Sequence, residues 1–312
     1  MLQHSLTLYL TTVLIWGSTF FAIRFQLGGV AEEVSVVYRF TLAALIILAY
    51  CAARGRRLRF SAPEHGWMAL QGLLLFGANY LLVYLATSLL TSGLIALLFS
   101  SIIVMNIVLA ALLFRRRIEP PVVAGALLGL GGIGLVFWPE LVLLDPSADA
   151  LRGMALALLG TLVASFGNMV SLRNQGAGLP VVQSNGYGMG YGALLMAVWA
   201  AGQGLPFDFD TSAGYLLSLT YLALFGSVLA FGSYLTLLGR IGPGRAAYAM
   251  VLFPLVALLL STLFEDYRWS ATAFAGMLLV VVGNVLALAV PARPARVEIP
   301  GSERKTVPLP AE

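Results

Sequence analysis

The sequence predicts an all-α membrane protein with ten transmembrane helices, and composition and patterning both support this. Of its 312 residues, 60% are hydrophobic and only 10% are charged, whereas a soluble domain carries about 25% charged residues. Apolar runs of about 20 residues with few or no charges, the length that a helix needs to cross a bilayer, recur ten times. The composition therefore argues against a soluble enzyme.

Ten apolar runs with few or no charges define the predicted helices. They cover residues 5–26, 33–53, 66–87, 91–114, 121–138, 151–173, 179–201, 213–238, 244–264 and 270–290. The third and fourth runs are the least clearly separated, because only a few Thr, Ser and Gly residues interrupt them. A membrane β-barrel does not fit, since its strands alternate apolar and polar residues. A cleaved signal peptide at 1–23 is the competing interpretation of the first run, but a basic segment and a convincing cleavage site are missing.

The basic residues predict that both termini are cytoplasmic. Fourteen of the 18 Lys and Arg residues lie on alternate connectors or in the tail. They are Arg54, Arg56, Arg57, Arg59, Arg115, Arg116, Arg117, Arg173, Arg240, Arg245, Arg293, Arg296, Arg304 and Lys305. Acidic residues such as Asp149 and Asp208 lie on the opposite connectors. By the positive-inside rule the Arg-rich side is cytoplasmic, and we expect a multi-pass protein of the bacterial inner membrane.

Residue matches at a nearly constant spacing predict two related halves. At offsets of 150 or 151, Trp16-Gly17-Ser18 matches Phe166-Gly167-Asn168, Tyr84 matches Tyr234, Phe114 matches Phe264, Ala124-Gly125 matches Ala275-Gly276, and Gly132 matches Gly283. Chance matching of Gly and aromatic residues is the alternative. Because five helices per half is an odd number, the second half is expected to be inverted. Inverted repeats are a feature of secondary transporters, whose substrate site lies near the midplane.

The halves and their flanking segments can be assigned boundaries. We predict a first repeat at 1–140, a periplasmic linker at 141–150 and a second repeat at 151–290. The segment 291–312 is rich in proline and charge, which predicts a disordered cytoplasmic tail.

Three motifs resemble the EamA-type transporters of the drug/metabolite transporter superfamily. They are Trp16-Gly17-Ser18-Thr19-Phe20, Arg39-Phe40, and Pro254 with Glu265. The resemblance covers about residues 7–290 and implies two EamA repeats of five helices, with both ends cytoplasmic. In overall character the chain is similar to the YddG-type exporters of aromatic and other amino acids. One departure is that Val104 in the first half corresponds to Pro254 in the second.

No group of residues predicts catalysis or a metal site. The two histidines are His4 and His65, and no Ser–His–Asp set or His/Cys cluster can be assembled around them. The Gly-rich stretch 129–134 lacks the Gly-Lys-Ser/Thr ending of a phosphate-binding loop. We therefore expect that the protein needs no cofactor and binds no nucleic acid. Its expected partners are a small-molecule substrate and the lipid bilayer. We expect it to work as a monomer, since both repeats are fused in one chain.

Arg39 is the predicted exception to an uncharged membrane interior. It lies six residues after Glu33, about 9 Å into the second helix at 1.5 Å per residue. A charge at that depth costs about 2.5 kcal/mol or more and marks a pathway or a satisfied internal contact. Two interpretations stay open: Arg39 reaches back to Glu33 or a helix-end carbonyl, or it attracts a substrate carboxylate. The acidic residues all fall outside the predicted membrane interior, so facilitated transport or exchange is simpler than proton coupling.

Aromatic and amide side chains complete the predicted substrate site. Besides Arg39, the candidates are Trp16, Ser18, Tyr38, Asn79, Tyr80, Tyr84, Asn106, Asn168, Asn185, Tyr187, Tyr191, Tyr234 and Tyr248. Rings four residues apart, such as Tyr80 and Tyr84, share a helix face and could stack on a substrate. The alternative is that tyrosines anchor the membrane interface and that amides bond one helix to the next.

Two segments are predicted hinges for a transport cycle. Gly242 and Gly244 flank Pro243 between the eighth and ninth helices, and Pro254 lies inside the ninth. Proline removes a backbone hydrogen bond and bends a helix, although a static packing kink is equally consistent.

The sequence as a whole predicts a secondary transporter that exports amino acids or similar metabolites by alternating access. Export of nucleoside-like or other neutral metabolites is the closest alternative, and a non-transporting membrane scaffold is the next.

Overall fold

The described part of the chain consists of helices in ten consecutive segments. The computed structural model describes residues 2–26, 29–142, 147–264 and 270–289, and every regular element within these ranges is helical. The segments are α1 (Leu2–Ile23), α2 (Glu32–Ala53), α3 (Ala62–Gly72, a π-helical turn Leu73–Ala78, and Asn79–Thr87), α4 (Ser92–Ser100 and Ile102–Phe114), α5 (Pro120–Val136), α6 (Ala148–Gly176), α7 (Val181–Gly202), α8 (Ala213–Tyr221, a π-helical turn Leu222–Leu229, and Ala230–Ile241), α9 (Pro243–Ala246 and Ala249–Phe264) and α10 (Ala271–Ala289). Short helices Arg24–Gln26 and Trp138–Val142 lie in connectors.

Most of these segments can cross a bilayer. Eight are long and apolar enough by length and composition. The other two are α5, an apolar helix of 17 residues, and α7, which has 22 residues but begins with the polar run Gln183, Ser184, Asn185. The chain is thus an all-helical, multi-pass membrane protein, and a count of ten membrane crossings stays a prediction.

Predicted and observed helix boundaries differ by up to four residues, and the ends of α5 and α8 are two examples. α5 ends at Val136, two residues before the predicted end, and Trp138 begins a separate short helix. α8 continues to Ile241, three residues beyond its predicted end, because Gly242 with φ +91° is the first residue that leaves the helix. The weakly marked break before α4 is present, and the Thr91 hydroxyl caps α4 by accepting from the Leu94 amide.

Several predicted features lie outside the described residues. These are the tail at 291–312, the part of the linker at 143–146, and the acidic pair Glu265 and Asp266.

Glycines on α5 of the first half contact glycines on α10 of the second half. A Cβ added to Gly125 would lie 2.5 Å from the Gly283 oxygen, and one added to Gly132 would lie 2.6 Å from the Gly276 oxygen. The two helices therefore pack closely and antiparallel. Gly125 corresponds to Gly276 and Gly132 to Gly283 in the repeat. A twofold axis between the repeats requires such reciprocal contacts, in which each helix presents the same residues to its partner.

The third helix of each half contains a π-helical turn with the same sequence pattern. Leu73-Leu-Leu-Phe-Gly77 in α3 matches Leu222-Ala-Leu-Phe-Gly226 in α8 at an offset of 149. The turn in α3 packs against α6 and α7 of the second half, and the turn in α8 packs against α1 and α2 of the first. Single π-helical turns are frequent at functional sites, and these two lie where the halves meet.

Candidate functional site

Arg39 on α2 reaches the π-helical turn of α8. Its Nε donates to the Ser227 hydroxyl at 2.8 Å, and the Ser227 hydroxyl donates to the Leu222 carbonyl at 3.0 Å. The arginine is 6% exposed, and its Cζ lies 5.5 Å from the centre of the Phe40 ring. The internal contact is thus with a serine of the other half, rather than with Glu33 or a helix-end carbonyl.

Most of the donors of Arg39 remain available. A guanidinium carries five N–H groups, and within the described parts of the chain the Nε–Ser227 bond is the one hydrogen bond that Arg39 makes. The four N–H groups on Nη1 and Nη2 form the planar fork that suits a carboxylate. A buried cation with such unused donors can bind an anionic group of a small molecule.

Gly226 allows both Arg39 and Trp16 to approach α8. A Cβ at this position would lie 3.1 Å from Arg39 Nη2 and 2.9 Å from Thr19 Cγ2, so a larger residue would push the arginine or α1 away. The Gly226 carbonyl accepts a hydrogen bond from Trp16 Nε1 at 3.1 Å. Gly226 therefore accepts the indole N–H of Trp16 and leaves room for the guanidinium of Arg39, which Ser227 holds.

A continuous row of aromatic rings, which we call the aromatic row, joins the two halves. The rings in order are Tyr80, Phe40, Phe76, Phe231, Trp16 and Tyr234, with successive centroids 4.9, 5.3, 4.9, 4.9 and 5.2 Å apart. All of these pairs are tilted or edge-to-face, the arrangement that aromatic pairs prefer. Three of the predicted candidates, Trp16, Tyr80 and Tyr234, belong to the row, and α1, α2, α3 and α8 supply its members.

A buried polar network continues from the end of the aromatic row. Asn168 Nδ2 donates to the Tyr234 hydroxyl at 3.0 Å and to Asn106 Oδ1 at 3.3 Å. Asn106 Oδ1 also accepts from the Ser165 hydroxyl at 2.6 Å, and its Nδ2 donates to the Pro243 carbonyl at 3.3 Å. All four side chains are at most 1% exposed, and Asn168 Oδ1 has no partner in the described structure. The network links the candidate site to the turn that begins α9.

Three further candidates lie on the same helices and contact other groups. The Ser18 hydroxyl lies 2.6 Å from the Tyr221 hydroxyl. Asn79 Nδ2 donates to the Gly160 carbonyl at 2.9 Å, which bonds α3 to α6. Tyr84 is half-buried against the main core, one turn after Tyr80.

Four predicted tyrosines bond to peripheral segments instead. Tyr38 donates to the Phe207 carbonyl at 2.9 Å, in the connector after α7. Tyr187 donates to the Leu58 carbonyl at 2.7 Å, and Tyr191 lies 3.0 Å from His65 Nδ1. Tyr248 donates to the Val122 carbonyl at 2.6 Å, at the start of α5. Within the described residues, none of these four side chains bonds to Arg39 or belongs to the aromatic row, and each hydroxyl holds two segments together. Similarly, Asn185 accepts from Gln71 at 3.0 Å.

The predicted hinge residues occupy packed positions. Gly242 has φ +91°, a conformation that favours glycine. A Cβ on Gly244 would lie 2.9 Å from Ile107 Cγ1. Pro254 lies within Ala249–Phe264 without interrupting it. A hinge role for these residues stays a prediction.

The sequence interpretation missed Ser227 and Gly226 as site residues. Both follow the repeated Leu-x-Leu-Phe pattern, which was the available signal. Phe76 and Phe231 were also missed, because single phenylalanines in apolar runs resemble ordinary core residues.

Comparison with known proteins identifies the family. The model of the EamA-like transporter family matches residues 4–138 and 151–289. The chain belongs to the EamA-like transporter family. It carries two EamA repeats and is a membrane transporter rather than an enzyme.

Two relatives of this EamA-family chain are named as a transporter and as an efflux pump. An uncharacterized inner membrane transporter, YedA, of Escherichia coli (strain K12) is 29% identical over 80% of this chain and 79% of its own length. A probable amino-acid metabolite efflux pump of the same strain is 27% identical, covering 88% and 92% of the two chains. A solved crystal structure with 20% identity shares the fold, with a TM-score of 0.76 over 91% of this chain and 96% of the other.

Proposed function

We propose that this EamA-family transporter exports amino acids, aromatic and other neutral ones, or similar small metabolites across the bacterial inner membrane. Arg39 is the observation that carries the proposal. It is a buried cation with an unused donor fork, and an α-carboxylate accepts two parallel N–H bonds from such a fork. A substrate with one carboxylate would neutralise the charge that is otherwise costly to bury.

The aromatic row supports a substrate with an apolar or aromatic side chain. Trp16 bonds to the Gly226 carbonyl, and Arg39 Nη2 lies 3.1 Å from the position that a Cβ on Gly226 would take, so a carboxylate at Arg39 would place the rest of the substrate near the Trp16 end of the aromatic row. Rings bind other rings and thioethers through stacking and edge contacts. A relative that aligns with 88% of this chain is named a probable amino-acid metabolite efflux pump. Its name points to the same substrate class.

The repeat geometry supports alternating access. α5 and α10 meet antiparallel through reciprocal glycine contacts, as expected of two inverted repeats that rock against each other around a shared site. The Arg-rich connectors then face the cytoplasm together with both termini. Facilitated diffusion or exchange is the proposed mode, and the fused repeats suit a monomer.

Uptake into liposomes tests the substrate class. Purified protein is reconstituted, and uptake of labelled phenylalanine, threonine and methionine is measured with and without a pH gradient. We expect saturable uptake that other amino acids compete and that needs no gradient. Arg39→Gln is expected to lose at least tenfold in substrate affinity, since a charge-assisted hydrogen bond contributes about 1.5–3 kcal/mol.

A matched arginine serves as the control. Arg54 is exposed at the end of α2, so Arg54→Gln should transport like the unsubstituted protein. Folded protein that takes up none of the three amino acids would contradict the proposal. Uptake of uridine instead, insensitive to Arg39→Gln, would favour the nucleoside-like alternative, in which the aromatic row stacks on a base.

A further inference from the structure

A second arginine-rich site lies where the connector before α5 meets the turn before α9. Arg245 is 4% exposed, and its Nη2 donates to Glu119 Oε2. Glu119 immediately precedes α5, while Arg245 is in the first turn of α9. The ion pair therefore joins the two halves at the Arg-rich end of the molecule, away from the Arg39–Ser227 contact.

Arg116 packs into the same junction. Its Nη1 lies 3.0 Å from the position that a Cβ on Gly242 would take, so the absence of a side chain at Gly242 makes room for the guanidinium. The chain reverses at Arg115, whose φ of +50° is left-handed, and the Arg116 amide bonds back to the Ala110 carbonyl at 3.4 Å. Backbone geometry on both sides thus directs Arg116 into the junction.

The junction has more cations and donors than its acceptors can satisfy. Two guanidinium groups share one carboxylate, that of Glu119. Arg116 Nε, Arg116 Nη2 and Arg245 Nε are buried, and no acceptor for them exists in the described part of the chain. Burial lowers the pKa of Arg116, and the charge of Glu119 only partly opposes this. Buried N–H groups in folded proteins nearly always have an acceptor, so these donors point to a bound anion.

We propose that Arg116 and Arg245 form a binding site for a phosphate group. The forked, permanently charged guanidinium matches phosphate oxygens, and paired arginines are the usual way to hold this group. The site lies beside the exposed Arg115 and Arg117, at the Arg-rich end that the positive-inside rule assigns to the cytoplasm. An anionic lipid headgroup and free phosphate both carry the required chemistry, and the cytoplasmic leaflet supplies the lipid at high local concentration.

Thermal unfolding of the full-length protein in detergent tests the site. The Tm is measured with phosphatidylglycerol, with phosphatidylcholine, with sodium phosphate and with sodium chloride at matched ionic strength. The unsubstituted protein should show a saturable rise in Tm with phosphatidylglycerol, with sodium phosphate or with both. A response to phosphatidylglycerol alone identifies the lipid as the source, whereas a response to sodium phosphate identifies free phosphate.

Neighbouring arginines provide the matched comparison. Arg116→Gln should weaken the apparent affinity about tenfold or more, and Arg117→Gln, at an exposed position, should not. Without phosphate, Arg116→Gln should be at least as stable as the parent, because it removes a buried charge with unpaired donors. If Arg116→Gln does not fold, Arg116→Lys keeps the charge, loses the fork and should bind more weakly. The proposal is overturned if the parent responds to no phosphate, or if the Arg116 variants respond as the parent does.

Discussion

Arg39 and Ser227 join the two halves of the chain through a 2.8 Å hydrogen bond, and the repeat has no second copy of this pair. At the offsets of 150 and 149 that relate the halves, the corresponding residues are Met189 and Ala78, neither of which can make such a bond. The equivalent pair in the other half is therefore apolar. A binding site beside Arg39 would have one charged end, which would orient a substrate that has a carboxylate at one end only.

Removal of the Ser227 hydroxyl should weaken transport without abolishing it. Ser227→Ala leaves Arg39 Nε without its acceptor, and an unsatisfied buried donor costs about 1–3 kcal/mol. We expect KM for a transported amino acid to rise about tenfold while the maximum rate changes little. The control is Ser218→Ala on the same helix, because the buried Ser218 hydroxyl bonds only within α8, to the Tyr215 carbonyl at 3.0 Å. Equal KM values for the two variants would show that Ser227 does not position Arg39.

A methyl group added to the π-helical turn of α8 should reduce transport more than one added to the turn of α3. In Gly226→Ala the new Cβ would lie 3.1 Å from Arg39 Nη2 and would also crowd α1 at Thr19. In Gly77→Ala it would lie 2.7 Å from Leu195 Cδ2, the end of a flexible side chain. We expect at least a tenfold loss of uptake rate for Gly226→Ala and less than threefold for Gly77→Ala, at equal protein levels. A similar loss in both variants would assign the glycine to general packing rather than to the site.

The helical membrane fold was predictable because its signals are local. Apolar run length fixed the segments to within a few residues, and glycine spacing indicated the repeat. Arg39 stood out for the same reason, since a charge inside an apolar run needs no structure to be noticed. Its acceptor Ser227 lies 188 residues away, and hydrophobic periodicity carries no information on such pairs.

The tyrosines show where sequence reasoning fails. Tyr187 and Tyr191 have the same i, i+4 spacing as Tyr80 and Tyr84, yet only Tyr80 joins the aromatic row. Tyr187 and Tyr191 instead contact Leu58 and His65. Spacing establishes that two rings share a face, but the orientation of that face depends on how α7 packs, which is a tertiary property.

Substitutions at two buried tyrosines should distinguish an effect on stability from an effect on transport. Tyr234 and Tyr248 are each at most 1% exposed, and each hydroxyl has a partner, Asn168 and the Val122 carbonyl respectively. Phenylalanine at either position should lower the free energy of unfolding by about 1–2 kcal/mol. Only Tyr234→Phe should also change KM, because the Tyr234 hydroxyl connects the aromatic row to the Asn168–Asn106 network. Thermal unfolding and liposome uptake measured on the same preparations check both parts, and a KM change in Tyr248→Phe alone would contradict the assignment.

Removing one partner of the Glu119–Arg245 pair should lower the free energy of unfolding, whereas replacing both partners with apolar residues should change it little. Glu119→Leu leaves Arg245, only 4% exposed, without a counter-charge. Loss of one partner of a buried pair costs about 3–5 kcal/mol, and the lower end applies here because the Glu119 side chain is 32% exposed. The double variant Glu119→Leu, Arg245→Met should recover most of that loss, since apolar residues of similar volume often replace such pairs without penalty. Unfolding measured for the parent, both single variants and the double variant gives the coupling free energy directly. A coupling near zero would mean that the contact contributes little to the stability of the junction.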